Sequence, residues 1–158
     1  REKNGQSHIR DFLTVGSMGH CSSIALGIAI AKPDKKVFCI DGDGALIMHM
    51  GSLSTIGSLK PKNLHHILIN NYVHESVGGQ KTTIKSIDVP NLIKSAGYKN
   101  VFTVDDRVCL KDQIINILRS KGPTFLEVKV KPGSRDDLGR PTVKLIENKK
   151  AFMKFIQG

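Results

Sequence analysis

Val37-Phe-Cys-Ile-Asp-Gly-Asp-Gly44 is the stretch from which the rest of the chain is read. Four apolar residues, Val37 to Ile40, follow the charged turn Lys32-Pro-Asp-Lys-Lys36 and have the length and composition of a buried strand. Alternating aspartate and glycine then end the strand, and a helical spacing starts at Ala45. A strand, a tight turn and a helix N-terminus in succession leave backbone N–H groups free to hold phosphate. Aspartate repels phosphate, so Asp43 at such a site implies a bridging divalent cation. Mg2+ suits it, being a hard ion that takes oxygen ligands from one or two protein groups, from waters and from the phosphates. After 25 intervening residues Asn70-Asn71 closes a second apolar run, His65 to Ile69, and offers a neutral amide oxygen to the same ion. Glycine at 42 and 44 allows close approach with no Cβ in the way.

Outward from this pair, strands and helices alternate. Residues 1–10 are polar and read as a linker, and Phe12 to Val15 reads as a short strand broken by Gly16-Ser-Met-Gly19. Ser22 to Ala31 is apolar on most faces and predicts a buried helix. Leu46, Met50, Leu53 and Ile56 form one stripe, which predicts one helix ending near Gly57. From Tyr72 to Ser86 periodicity fades into a polar, glycine-bearing loop, long enough to be functional or mobile. Asp88 reads as an N-cap with Pro90 in the first turn and Gly97 at the end of the helix. Val101 to Val104 is a strand, and Leu110, Ile114, Ile117 and Leu118 mark one face of a helix. Thr124 to Val130 alternates apolar residues with Glu127 and Lys129, a strand with one polar face. A loop over 132–142 leads to a last amphipathic helix carrying Ile146, Phe152, Met153 and Ile156. The pattern predicts an α/β fold, a doubly wound, mostly parallel sheet with helices on both faces.

The 158 residues make one domain of ordinary size, with no stretch of 18 apolar residues and no apolar signal core after Arg1-Glu-Lys-Asn4. The expectation is a soluble, unexported, cytoplasmic chain with no membrane partner. Its three cysteines are widely spaced, which fits reduced thiols. A formal charge of +10 invites a nucleic-acid reading, but the lysines are scattered, tryptophan is absent and there are two tyrosines. A lysine-rich surface, or a field drawing in an anionic cofactor and substrate, accounts for the charge.

Gly42-Asp43-Gly44 followed at this spacing by Asn70-Asn71, with Gly16-Ser-Met-Gly19 upstream, resembles the cofactor signature of thiamine-diphosphate enzymes. The resemblance covers the whole chain. Phe12 to His20, His74-Glu-Ser-Val-Gly-Gly-Gln80, Gly133-Ser-Arg135 and Leu138-Gly-Arg-Pro141 make it similar to the C-terminal domain of the phosphonopyruvate decarboxylases. The β subunits of sulfopyruvate decarboxylases stand close by. The resemblance implies a diphosphate-binding (PP-type) domain over residues 1–158, with thiamine diphosphate and Mg2+ as cofactors. It makes Asp43, the Asn71 side chain and the Val73 carbonyl ligands of the ion, with Gly42, Gly44 and Ala45 around the diphosphate. Met18 would prop the bend between the cofactor's two rings, and Gly16, Ser17 and Met18 would line its aminopyrimidine. His20, His74 and Ser76 would lie near the reacting end. Arg135 and Arg140 would clamp an anionic substrate, guanidinium being suited to oxyanions. Cys21 and Val77 depart from the family pattern, where alanine and threonine are expected.

The implied reaction is decarboxylation of a small anionic 2-oxo acid, phosphonopyruvate to phosphonoacetaldehyde and carbon dioxide being the leading case. No side chain accepts the electron pair left by departing carbon dioxide, so the work falls to a cofactor. The glutamate that activates the pyrimidine ring belongs, in the family, to a separate pyrimidine-binding domain, expected here as a partner domain or α subunit in an oligomer. Blander readings stand beside these roles. Met18 would otherwise be core, His20 and His74 ordinary hydrogen-bonding residues, and Arg135 the partner of Asp136-Asp137; His49, His65 and His66 are read as structural. A rival from another class is a Mg2+-dependent phosphatase of the haloacid dehalogenase type, with Asp41 as nucleophile and Asp43 as acid. That motif normally opens the first strand, and the rival leaves Asn70-Asn71 without a role.

Overall fold

In a computed structural model of the chain, residues 4–105 and 107–158 are described, so the first three residues of the polar opening stretch lie outside it. The described chain forms two compact units, one within Met18–Gly133 and one made of the stretches 4–17 and 134–158.

The larger unit is built on four parallel strands, β1 (Val37–Gly42), β2 (Leu64–Asn70), β5 (Asn100–Val104) and β6 (Thr124–Lys129), in the order β1-β2-β6-β5. Helices α1 (Cys21–Ala31), α3 (Ser52–Leu59) and α4 (Val89–Ser95) pack one face around Leu53, Ile56, Leu64, Leu68, Ile93 and Phe125. Helix α5 (Arg107–Arg119) closes a second cluster, in which Ile117 meets Val104, Leu126 and Val128. Burial of each such side chain contributes roughly 1.5–3 kcal/mol, so both faces of the sheet are held largely by the hydrophobic effect. The expected doubly wound parallel sheet is therefore present.

Particular elements differ from expectation. Strand β1 is buried on one side only: it lies at the sheet edge, and Ile40 is 65% exposed. The Leu46–Ile56 stripe is split into α2 (Asp43–Met48) and α3, with Gly51 between them; Leu46, Leu53 and Ile56 still reach the core. Helix α2 starts at Asp43, two residues before the apolar spacing. The Tyr72–Ser86 loop contains a two-residue hairpin, β3 (Val73–His74) against β4 (Gln80–Lys81), and two short 3-10 turns, Glu75–Val77 and Thr83–Ser86. Strand β6 has no polar face, because it is central and Glu127 is buried. Helix α4 follows its signals closely: the Asp88 carboxylate accepts from Asn91 N–H at 3.2 Å, and Gly97 takes φ +103° just past its end.

In the smaller unit, Phe12–Val15 forms no strand. Its polar backbone is held by a side chain of α6 (Leu145–Gln157): Asn148 accepts from Leu13 N–H at 3.0 Å and donates to the Asp11 carbonyl at 2.8 Å. The Phe12 ring lies 5.6 Å from that of Phe152. A side chain that satisfies the main chain in this way removes the need for a ladder partner. Among the described residues no helix is long and apolar enough to cross a membrane.

Candidate functional site

Parallel pairing sets Gly42 opposite Ile69, so Asp43 and Asn70 leave neighbouring strands at the same carboxyl end. The strands are about 4.8 Å apart there, and that end of an α/β sheet is where ligands bind. Asp43 is 2% exposed, and its Oδ2 accepts from the Thr82 hydroxyl at 2.5 Å. Thr82 N–H in turn donates to the Tyr72 carbonyl at 2.9 Å. One threonine thus joins the first motif to the backbone immediately after the second. Among the described residues the Asp43 carboxylate has this hydroxyl for a partner and no cationic side chain.

The two asparagines have different tasks. Each folds its side-chain oxygen over the residue two positions on: Asn70 accepts from Tyr72 N–H at 3.2 Å and Asn71 from Val73 N–H at 3.1 Å. Tyr72 between them has φ +66°, which turns the chain into the hairpin. Asn70 is buried and donates to Glu127 at 2.7 Å, and Glu127 also accepts from Thr103 at 3.4 Å. Asn71 is half-buried, and its Nδ2 donates to Glu75 at 2.7 Å. The second Glu75 oxygen accepts from Gly133 N–H at 2.6 Å. Glu75 therefore sets which way the Asn71 amide faces, leaving Oδ1 on the Val73 side.

Two further segments meet α2. A Cβ on Gly44 would strike the His74 imidazole, so hairpin and helix N-terminus are in contact. Gly19, at φ +91°, is packed so that a Cβ would meet the Ala45 carbonyl and the His49 ring. The His20 and His49 rings are 4.1 Å apart. Asp43 is thus tied through Thr82 to the backbone at Tyr72, between Asn71 and Val73, while Gly44 meets His74 and Ala45 meets the turn that carries Met18, Gly19 and His20. Gly42 has open space where a Cβ would stand. Ser76 is exposed in the turn after His74. Gly16, Ser17, Arg135 and Arg140 belong to the smaller unit, where Arg135 pairs with Asp137 at 3.3 Å, as the loop salt-bridge reading expects. A cleft of about 640 Å³ beside the motif is lined by Asn70, Tyr72, Lys85, Glu127 and Lys129, and contains neither Asp43 nor Asn71.

Sequence reasoning gives no site role to Thr82, Glu75 or Glu127. Thr82 stands in a polar run without periodicity, and Glu127 alternates like a solvent-facing residue. Glu75 was legible only as the residue four after Asn71.

A buried polar group lies beneath the motif on the α1 side. The Cys21 thiol, 3.6 Å from Cys39, together with burial pushes the Cys39 thiol far above its ordinary range. Burial likewise raises the Tyr98 phenol, whose oxygen is 3.3 Å from His66 Nδ1. His65, paired with Thr124 at 2.9 Å, is shifted down by burial and then by Lys36. Asp41 is 6% exposed, and one oxygen accepts from Gly42 N–H at 3.0 Å while the other faces His66. A carboxylate held inward in this way is poorly placed to attack a phosphate ester, which counts against the phosphatase reading.

Residues 2–128 match the family "Thiamine pyrophosphate enzyme, C-terminal TPP binding domain". The chain is 38% identical over 145 residues to a phosphonopyruvate decarboxylase of Streptomyces viridochromogenes, which covers 92% of this chain and 36% of that protein. It is 33% identical over 159 residues to a sulfopyruvate decarboxylase subunit beta of Methanococcus maripaludis, covering 99% of this chain and 80% of the subunit. The fold aligns, at TM-score 0.64 and 22% identity, with a candidate thiamin diphosphate-dependent enzyme isolated from Mycobacterium smegmatis, over 75% of this chain and 23% of that one. The chain spans about a third of the length of the phosphonopyruvate decarboxylases it matches. Sheet, motif pair and extent of match agree: the chain belongs to the thiamine pyrophosphate enzymes, as their C-terminal TPP-binding domain.

Proposed function

We propose that this domain holds the diphosphate and Mg2+ half of the site of a thiamine-diphosphate-dependent 2-oxo acid decarboxylase, with phosphonopyruvate the leading substrate and sulfopyruvate the second. The observation that carries the metal is Asp43, a carboxylate 2% exposed with a neutral hydroxyl for a partner and, among the described residues, no countercharge. A buried charge of that kind is costly unless a cation joins it. The donors this reading assigns to the ion are a carboxylate, the Asn71 amide oxygen and the Val73 carbonyl, an all-oxygen set suited to Mg2+. These residues fit the group that the family name implies.

In this reading Asp43, Asn71 and Val73 hold the ion. Gly42, Gly44 and Ala45 keep the N-terminus of α2 accessible to the diphosphate, and Met18 supports the cofactor between its rings, with Gly16 and Ser17 along the aminopyrimidine. When bound, the cofactor supplies the electron sink that decarboxylation requires. His74, against Gly44, and His20, beside His49, with Ser76 two residues after His74, are the candidates for moving a proton or hydrogen-bonding the substrate. Arg135 and Arg140 are the candidates for its anionic group. A pyrimidine-binding domain or α subunit completes the site with the activating glutamate, and the assembly acts in the cytoplasm as an oligomer.

Calorimetric titration with thiamine diphosphate in the presence of Mg2+ tests the binding half. Binding should require the ion and should vanish in Asp43→Ala; unaltered binding in that variant refutes the assignment. Carbon dioxide release after mixing with a pyrimidine-domain partner, with phosphonopyruvate and sulfopyruvate in parallel, tests the reaction.

A further inference from the structure

The interior of the larger unit holds a second polar cluster that the cofactor reading does not use. Cys39 and Asp41 project from the same side of β1, and His66 lies opposite Cys39 on β2. Sulfur, carboxylate oxygen and imidazole nitrogen lie within 4.8 Å of one another. The three residues are 2%, 6% and 0% exposed. Asp41 Oδ2 and His66 Nε2 face each other at 3.7 Å, and among the described residues neither has a hydrogen-bond partner. At that distance they are too far apart for a good hydrogen bond. Two such unsatisfied buried atoms, both in one small cluster, call for an explanation.

We propose that Cys39, Asp41 and His66 form a site for a borderline-soft divalent cation of the Zn2+ class. Nitrogen and oxygen ligands at about 2.0–2.1 Å from a tetrahedral ion stand about 3.4 Å apart, close to the observed gap. Thiolate, carboxylate and neutral imidazole offset the two positive charges, so the filled site is neutral, as a buried site should be. The mixed sulfur, nitrogen and oxygen set suits Zn2+ and disfavours Mg2+, which separates this site from the one at Asp43. The remaining Asp41 oxygen accepts from Gly42 N–H, and His66 Nδ1 is 3.3 Å from the Tyr98 hydroxyl. Such outer partners orient metal ligands. The half-buried Cys21 has its sulfur 3.6 Å from that of Cys39 and donates to the Ile40 carbonyl at 3.7 Å, so a second thiol stands next to the cluster. The proposal rests on this cluster alone and does not depend on the decarboxylase reading.

The test uses the whole reduced chain in excess Mg2+, titrated with Co2+ as a coloured substitute for Zn2+. One equivalent should produce a thiolate-to-cobalt charge-transfer band, which Zn2+ displaces. Cys39→Ser should lose the band, Tyr98→Phe should weaken affinity about tenfold, and Cys109→Ser and Asp43→Ala should leave it intact. No band at one equivalent, or a band that survives Cys39→Ser, overturns the proposal. Should Cys39→Ser fail to fold, anomalous diffraction at the zinc edge from wild-type crystals decides. A peak among Cys39, Asp41 and His66 supports the site, and its absence refutes it.

Discussion

The Thr82 hydroxyl donates to the Asp43 carboxylate at 2.5 Å, across 39 residues of sequence. Because Thr82 N–H also bonds the Tyr72 carbonyl, the same residue holds a proposed metal ligand on α2 and the backbone beside Asn71 in a fixed relation. Its hydroxyl satisfies one carboxylate oxygen without neutralising the charge, which keeps Asp43 available to a cation. Ligand-orienting partners of this sort matter nearly as much as the ligands. Thr82→Val should therefore weaken Mg2+-dependent thiamine-diphosphate binding by about tenfold to a hundredfold, and Thr82→Ser should restore most of it. Calorimetric affinities compared at matched folded fraction check this.

Glu75 makes two hydrogen bonds, to Asn71 Nδ2 and to Gly133 N–H. Glu75→Ala frees the Asn71 amide to rotate, so cofactor affinity should fall by about tenfold. Stability should change by no more than about 1 kcal/mol, since the residue is exposed. A chemical-denaturation curve beside the binding isotherm separates the two effects.

The contact between Gly44 and His74 lends itself to a double-mutant cycle. A Cβ at 44 meets the imidazole, so Gly44→Ala should cost about 1–3 kcal/mol while the ring is present. On a His74→Ala background the cost should shrink by at least about 0.5 kcal/mol, the coupling typical of residues in contact. Strict additivity in thermal unfolding would show that the ring does not lie against the helix.

Gly57 on α3 faces the backbone after α4, where a Cβ would overlap the Ala96 carbonyl. Backbone cannot swing aside as a side chain does. Gly57→Ala should destabilise by about 3 kcal/mol or more, read as a lowered denaturation midpoint.

The two N–H groups of the Asn63 amide are shared among three carbonyls, of Ala29, Lys32 and Lys35, at 2.8–3.0 Å from Nδ2. These belong to the last turn of α1 and the turn into β1, which delivers the first motif. Asn63→Ala leaves them short of a donor and should cost about 1–3 kcal/mol, with cofactor affinity falling only as far as the turn loosens. Hydrogen exchange over residues 29–37 measures that loosening.

What the sequence determined by itself was the order of elements and the chemistry of the motif. Apolar runs of strand length before Asp41 and before Asn70 could hardly be anything else, and Asp88, Pro90 and Gly97 mark α4 because capping and φ preferences are local. Asp43 and the Asn70-Asn71 pair were legible at one sheet edge because parallel strands bring successive carboxyl ends together. Tertiary structure decided what depends on neighbours distant in the chain. Glu127 alternates like a surface residue, and only its central position on β6 makes it buried and bound to Asn70. Phe12 to Val15 has strand composition, yet Asn148 satisfies its backbone and no ladder forms. The helical stripe from Leu46 to Ile56 keeps its buried side while breaking at Gly51. Thr82 carried no signal, because a hydroxyl in a polar loop becomes a carboxylate's partner only when β3 and β4 fold back over α2. The inward meeting of Asp41 and His66 likewise depends on strand register, which periodicity leaves open until the strands pair.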